Sequence, residues 1–299
     1  MRKEKTARRP WIIFLALGLV VFFSAFLGFL FALGTHFALF EILVTFLPAE
    51  SFLSNSNIII LGQDEAGFAK RADTIILARI ESAQKTVRLL SVPRDTRVPI
   101  PGYGQDKVNH SFAYGGAPLT QRTLQEWLDI PIPYYVSVDL GGLAKFIDHM
   151  GGIEMNVEKK MHYADYAGGV FIDMDPGVKH LNGKQAVGYL RYRTDPAGDI
   201  GRIKRQQKFL LALLSQISKA NPVQIPLSLV QLASHFETNL SSKEILGLAM
   251  VLRQAHELGQ IETHTLEGYP KIYNGIFFLE IETETKDSVR KMMGVKENG

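Results

Sequence analysis

Residues 57–64 read Asn-Ile-Ile-Ile-Leu-Gly-Gln-Asp, and Asn57–Leu61 is a continuous apolar run closed by glycine. A short apolar run between turn residues fits a strand buried on both faces. Thr74–Ile80 and Thr86–Val92 have the same character. Only the polar Ser82-Ala83-Gln84-Lys85 separates them, so they are expected to pair as an antiparallel hairpin. Apolar residues then recur at helical spacing over Leu119–Leu128 and at Leu140, Leu143, Ala144 and Ile147. Strands are expected at Tyr134–Val138, Gly151–Val157 and Gly275–Thr283. Strands interleaved with helices predict an α/β fold, a mixed central sheet covered by helices on both faces.

Ahead of this domain, Trp11–Phe40 contains no Asp, Glu, Lys or Arg. A spanning helix needs roughly 20 apolar residues, so the run is long enough to cross a bilayer. It is also about twice the apolar length of a cleaved signal peptide, the competing reading. The first ten residues carry five basic side chains against Glu4, which places that end in the cytoplasm. The expected organisation is a cytoplasmic tail over 1–10, one transmembrane helix over 11–40, a linker over 41–56 and an extracytoplasmic domain over 57–299. The whole chain is +3, but beyond the tail 28 basic residues face 29 acidic ones. The basic balance therefore gives no sign of a nucleic-acid surface. The chain has no cysteine, so the domain relies on its core.

The chemistry-bearing residues are Asp64 and Asp73 beside the first two strands, Arg94-Asp95 after the third, and Arg191, Arg193 and Arg202 much later. Guanidinium forks match phosphate oxygens bidentately. Carboxylates nearby are the usual protein ligands of a magnesium ion bridging such phosphates. Outside the membrane no ATP supply favours a kinase, so a lipid-linked phosphate is the expected substrate class. Asn182 is an expected N-cap for a helix over Lys184–Tyr189, and Asp199 for the next one. If the stretch after Tyr189 is extended, Arg191 and Arg193 point the same way. The later helix carries an apolar stripe at Ile200, Ile203, Leu210, Leu211, Leu214 and Ile217, expected to be buried. Arg202 and Gln206, four apart, share another face near an anion-favouring helix N-terminus. The bland alternatives are turn aspartates, a surface Arg94–Asp95 pair, and Arg202 and Arg205 as a solvated helix face. Ser241 and Glu244 stand at capping-box spacing before a helix through Arg253. Pro101-Gly102-Tyr103-Gly104 reads as a turn, and no His-Glu-x-x-His or Gly-x-Ser-x-Gly motif occurs.

The ordered stretches Leu61-Gly62-Gln63-Asp64, Arg71-Ala72-Asp73-Thr74, Ser91–Thr96, Asp106–Asn109 leading to Ala113–Gly116, His180–Ala186, Arg191–Arg193, Asp199–Arg202 and Arg205–Gln207 give a more specific signal. In their order and number they resemble the LytR–CpsA–Psr family of cell-wall ligases. The resemblance implies a transferase that moves a glycopolymer from a polyprenyl pyrophosphate to a peptidoglycan sugar hydroxyl through a phosphodiester. It implies that Asp64 and Asp73 hold Mg2+, with Mn2+ as a substitute. It implies that Arg71, Arg94, Arg191, Arg193 and Arg202 clamp the diphosphate, with Gln206 as a neutral hydrogen-bond partner. Asp73, Arg94, Asp95, Arg193 and Arg202 are the candidate catalytic residues. Asp95 either orients Arg94 or stands as a base near the attacking hydroxyl. The lipid tail calls for a tunnel between sheet and helices. The partners implied are the lipid-linked glycan, the peptidoglycan acceptor and the membrane, with no nucleic acid. A polyprenyl-pyrophosphate hydrolase would use the same clamp. A membrane-bound transcription attenuator is disfavoured, because ten cytoplasmic residues cannot form a DNA-reading fold.

Overall fold

The computed structural model describes residues 22–29, 49–64, 71–165, 170–192, 198–219 and 235–295. The chain divides into two units, Met1–Leu47 and Pro48–Gly299. In the first, residues 22–29 are helical with exposed side chains. The rest of the expected span over 11–40 lies outside the described residues. Among the described residues no helix is long and apolar enough to cross a membrane.

The second unit contains strands β1 (Ser56–Asp64), β2 (Arg71–Glu81), β3 (Thr86–Ser91), β4 (Arg97–Ile100), β5 (Gly104–Lys107), β6 (Tyr134–Asp139), β7 (Ile153–Val157), β8 (Met161–Asp165), β9 (Val170–Met174), β10 (Gly177–Leu181), β11 (Phe236–Thr238), β12 (Ile261–Thr265), β13 (Tyr269–Tyr273) and β14 (Ile276–Glu280). Its longer helices are α1 (Val108–Leu128), α2 (Leu140–His149), α3 (Gly183–Arg191), α4 (Gly198–Lys219), α5 (Ser242–Glu257) and α6 (Thr283–Met292). Six strands form the central sheet in the order β11-β6-β1-β2-β3-β12. The pairs β1–β6 and β3–β12 are parallel, and the other three are antiparallel. This is the mixed α/β sheet expected, with β2 and β3 as its hairpin.

Side-chain alternation explains why β1 is apolar throughout. Ile59 and Leu61 join Ile75, Leu77, Leu90 and Val92 on one face, against Phe112, Leu124 and Leu128 of α1 and Val289 of α6. Ile58 and Ile60 point the other way with Ala78, Ile80, Val87 and Leu89, toward α2, α4 and α5, and that side encloses a cavity. One face is therefore densely packed and the other is left open.

Several details differ from expectation. The helix read at Leu119–Leu128 starts earlier, at Val108, and breaks at Gly115-Gly116, where Gly116 has φ +66°. Pro118 then falls at the start of the second segment, where its missing N–H costs little. Strand β7 stands outside the main sheet, paired with β10. Residues 49–56, expected within the linker over 41–56, supply buried Ala49 and Leu53 to the domain. Leu53 packs so closely under Gly247 of α5 that a Cβ there would collide with it. The helix caps agree with expectation: Asn182 with Gln185, and Ser241 with Glu244, form complete capping boxes. Asp199 lies inside the first turn of α4, which begins one residue earlier.

Glu244 also accepts a hydrogen bond from the Tyr134 phenol. That bond, followed by those from the Ser241 backbone and hydroxyl, holds its carboxyl below the usual range. A depressed carboxylate pKa stabilises the fold above the unfolded value, about 4.3, and the gain is lost as pH falls through the folded value. Ser241→Ala is expected to remove about 1 kcal/mol, read as a fall in Tm of about 2–4 °C at neutral pH. In thermal melts the gap between Tyr134→Phe and the parent is expected to narrow below about pH 4; a gap unchanged with pH would exclude this coupling.

Candidate functional site

A slip in register between β1 and β2 builds the site. Gly62 faces Thr74, but the next residue, Gln63, faces Ala72. Asp73 is therefore the extra residue of a β-bulge, which bends a strand and re-aims its side chains. Asp73 and Thr74 both line the depressions at this end of the sheet. Opposite them, a Cβ on Gly62 would lie 3.1 Å from the Thr74 Cβ, so glycine leaves room for Thr74.

Arg94, in the turn after β3, donates from Nη1 to Asp73 Oδ1 at 3.1 Å. Its Nε lies 3.6 Å from Asp95 Oδ2, and Lys107 Nζ donates to Asp95 Oδ1 at 2.7 Å. Asp73, Arg94, Asp95 and Lys107 thus form a chain of alternating charge, each side chain 19–29% exposed. Ion pairs this accessible contribute little to stability. Their effect is to fix the direction of the Arg94 fork. Asp95 lines none of the three cavities described, and it contacts Arg94 and Lys107.

Helix α4 brings the next group. Gln206 donates from Nε2 to Thr74 Oγ1 at 2.9 Å. Its neighbour Gln207 reaches Ser91 Oγ, the His264 carbonyl and Thr265 Oγ1 at 3.2, 3.2 and 2.9 Å, tying the helix to β3 and β12. Arg205, expected as part of a solvated face, is 2% exposed. Its Nη2 donates to the Tyr192 carbonyl at 2.7 Å, and its guanidinium lies 5.6 Å from the Tyr192 ring centre. Arg205 therefore holds the chain just past Arg191. Arg191 is the last residue of α3, not part of an extended stretch, so strand alternation does not set its direction. Its half-buried side chain reaches the mouth with Asp73, Gln63 and Gln206.

Behind this mouth, a cavity of about 120 Å3 runs between Ile60, Val138, Leu143, Leu190 and Phe209. Ile60, Val138, Leu143, Leu210 and Leu213 are common to it and to a second cavity of about 410 Å3. The larger space lies between the open face of the sheet and α2, α4 and α5, and is lined almost wholly by aliphatic side chains and Phe146 and Phe236. Of the stripe on α4 expected to be buried, Leu210, Leu214 and Ile217 line the larger cavity; Leu214 is buried, the other two are half-buried, and Leu211 is 37% exposed.

Of the expected site residues, the structure brings Asp73, Arg94, Arg191 and Gln206 to the mouth, with Asp95 behind Arg94. Arg71 opens β2 as the register partner of Asp64, is exposed, and lines none of the three cavities. Arg193 and the side chains of Asp64 and Arg202 lie outside the described residues. Thr74, Gln63 and Lys107 were not singled out from sequence for a role. All three had one signal, their place in the Leu61–Asp64, Arg71–Thr74 and Asp106–Asn109 stretches, but the position of Thr74 at the mouth depends on a bulge that no residue pattern announces.

A charged mouth leading into a deep apolar cavity is the geometry of a protein that handles an amphiphile with an anionic head. The chain belongs to the LytR_cpsA_psr family, whose model matches residues 49–294. A relative in Enterococcus faecalis, named polyisoprenyl-teichoic acid–peptidoglycan teichoic acid transferase TagU, is 32% identical over 242 residues, covering 79% of this chain and 77% of the relative. The crystal structure of Bacillus subtilis TagV superposes with a TM-score of 0.70 at 30% identity, covering 80% of this chain and 96% of that one. A structure described as TagT bound to LIIa-WTA superposes at 0.67 with 27% identity, covering 83% and 91%.

Arg205→Met is expected to leave the buried Tyr192 carbonyl without its donor and to lower stability by about 1–3 kcal/mol. Denaturant unfolding measures this; a loss below about 0.5 kcal/mol, the range of ordinary surface changes, would mean that Arg205 does not hold the chain beyond Arg191.

Proposed function

We propose that this chain is a phosphotransferase that joins a polyprenyl-pyrophosphate-linked glycopolymer to peptidoglycan through a phosphodiester. The observation that carries the reading is that the mouth lined by Asp73, Arg191 and Gln206, with Arg94 bonded to Asp73, adjoins a large apolar cavity and shares five wall residues with it. A polyprenyl tail is sheltered from water by that cavity, and burying it there anchors the diphosphate at the mouth. Arg94 and Arg191 then meet the diphosphate oxygens with planar forks. Arg193 and Arg202 are proposed to complete the clamp, and Arg71 to reach the glycan-bearing side. The acceptor oxygen attacks the phosphorus that carries the glycan. The bridging P–O bond breaks, polyprenyl phosphate leaves, and the hydroxyl proton is released. Such transfers depend mainly on positioning and on stabilising charge on the phosphoryl oxygens. Asp95 acts through Arg94, holding its fork in place.

A magnesium ion fits this donor set. Among the described residues no three His, Cys, Asp or Glu side chains converge. Mg2+ held against phosphates commonly takes one or two carboxylates and completes its shell with phosphate and water oxygens. Asp73 is proposed as one such ligand and Asp64 as the second. The ion, Mg2+ or Mn2+, would neutralise charge on the diphosphate. The segment over 11–40 is proposed to anchor the chain in the cell membrane, with residues 1–10 cytoplasmic and the domain outside.

Arg94→Lys keeps the charge but removes the fork, and a charge-assisted bond contributes about 1.5–3 kcal/mol. Transfer from a polyprenyl-pyrophosphate donor is therefore expected to fall about tenfold or more. Near-normal rates would remove the clamp. Leu213→Trp, at the junction of the two cavities, is expected to raise KM for long-chain donors far more than for a short-chain analogue. Equal effects on both would mean that the tail lies elsewhere. Release of free glycan phosphate with an acceptor present, and no joined product, would favour the hydrolase.

A further inference from the structure

On the phosphate side of the domain two large aromatic side chains stand in solvent without serving the core. Tyr103 and Tyr114 are 56% and 43% exposed, and their rings stack with centroids 4.4 Å apart and planes within 10°. Tyr103 tips the turn between β4 and β5, flanked by Gly102 at φ +84° and Gly104 at φ +81°. The turn requires those two glycines, but nothing in it requires the ring. Tyr114 lies on α1 just before the break at Gly115.

The second ring is held firmly. Its phenol donates to Asp106 Oδ2 at 2.7 Å, and His110 Nδ1 lies 2.9 Å from the same oxygen. Asp106 Oδ1 accepts from the Lys107 backbone N–H at 2.8 Å. Burial raises the Asp106 carboxyl pKa, but the bonds from Tyr114, His110 and Lys107 outweigh it and hold the group below the usual range. Asp106 is thus ionised and satisfied. Its effect is to lock Tyr114 in one orientation, which lowers the entropy lost when a ligand settles on the ring.

The pair adjoins the phosphate mouth. Lys107, the residue after Asp106, reaches Asp95 behind Arg94. Arg71, two residues before Asp73, is close enough for its charge to act on the Tyr114 phenol. Neither tyrosine lines the cavities assigned to the lipid tail. An isoprenoid needs apolar walls on several sides, and this platform offers only a flat face in water. A pyranose ring suits it: its axial C–H face lies flat on an aromatic ring while its hydroxyls stay solvated or meet a charged rim. Exposed aromatic clusters with a polar rim mark binding surfaces.

We propose that Tyr103 and Tyr114 form a stacking platform for the acceptor glycan, a β-linked N-acetylhexosamine strand, beside the phosphate mouth. The inference rests on the transferase reading and names the acceptor subsite of that same site. Arg71 at the platform rim contacts sugar hydroxyls, and Asp106 is a positioning residue. The platform presents the attacking hydroxyl to the phosphorus by holding the neighbouring sugar units.

The test uses the purified full-length chain in detergent, with tetra-N-acetylchitotetraose as the probe in calorimetric titration and transfer kinetics run beside it. Tyr103→Ala and Tyr114→Ala are each expected to weaken tetrasaccharide binding about tenfold. They are expected to raise the acceptor KM by a similar factor and the donor KM by less than twofold. Tyr103→Phe, which keeps the ring, is expected to restore both values, and this separates loss of the platform from loss of the fold. Unchanged tetrasaccharide affinity and acceptor KM in both alanine variants would overturn the proposal, as would a parent protein that does not bind the probe. Ring-dependent binding in a chain without transfer activity would sink the transferase reading while supporting the platform as a saccharide site.

Discussion

The one-residue slip between β1 and β2 decides which side chains meet at the end of the sheet. In a regular ladder, neighbouring residues of a strand point to opposite faces. Because Asp73 has no partner in the ladder, it and Thr74 both reach the same end of the open face. Arg94 finds Asp73 there, and Gln206 finds Thr74. Shifting the pairing by one residue would dissolve both contacts. The bulge also explains why a small residue stands at Gly62: the crowding it creates leaves no room for more.

The two faces of the sheet follow opposite rules. Under α1 and α6 the domain is filled in the ordinary way, by Ile, Leu, Val and Phe interdigitated against helices. Under α4 and α5 the same residue types line a cavity of about 410 Å3. Side chains on a cavity wall have protein partners on one side only, so the close packing of the domain is concentrated on the face under α1 and α6.

Much of the fold was legible from the chain. The apolar runs at Asn57–Leu61, Thr74–Ile80 and Thr86–Val92 specify buried strands, and their short connection specifies the hairpin. Asn182 and Ser241 mark helix starts because their side chains satisfy backbone N–H groups that have no helical partner. The misreadings share one physical cause, which is tertiary context. Arg205 reads as a solvated charge on any helical wheel, and contacts that no wheel shows, the Tyr192 carbonyl and ring among them, make its burial tolerable. Arg191 lies just past the helix expected over Lys184–Tyr189, where an extended stretch would align it with Arg193, yet α3 continues through it. The apolar stripe of α4 looks the same whether it faces a packed core or a void. Periodicity reports which side is apolar and carries no information about what fills it. The mouth residues Asp73, Arg94 and Gln206 were legible as chemistry, but their meeting depended on the bulge.

Helix α4 is fastened unevenly. Gln206 and Gln207 tie its first turns to β2, β3 and β12, and Arg205 binds it to the end of α3. Farther along, Leu210, Leu213, Leu214 and Ile217 line the larger cavity. Near its far end Gln216 also donates to the Met150 carbonyl, at 3.2 Å, so polar bonds hold both ends and apolar contacts hold the turns between. A hydrogen bond accepts a narrow range of geometry, whereas apolar burial is non-directional. The domain is in this respect exacting toward the guest's head and tolerant of its tail.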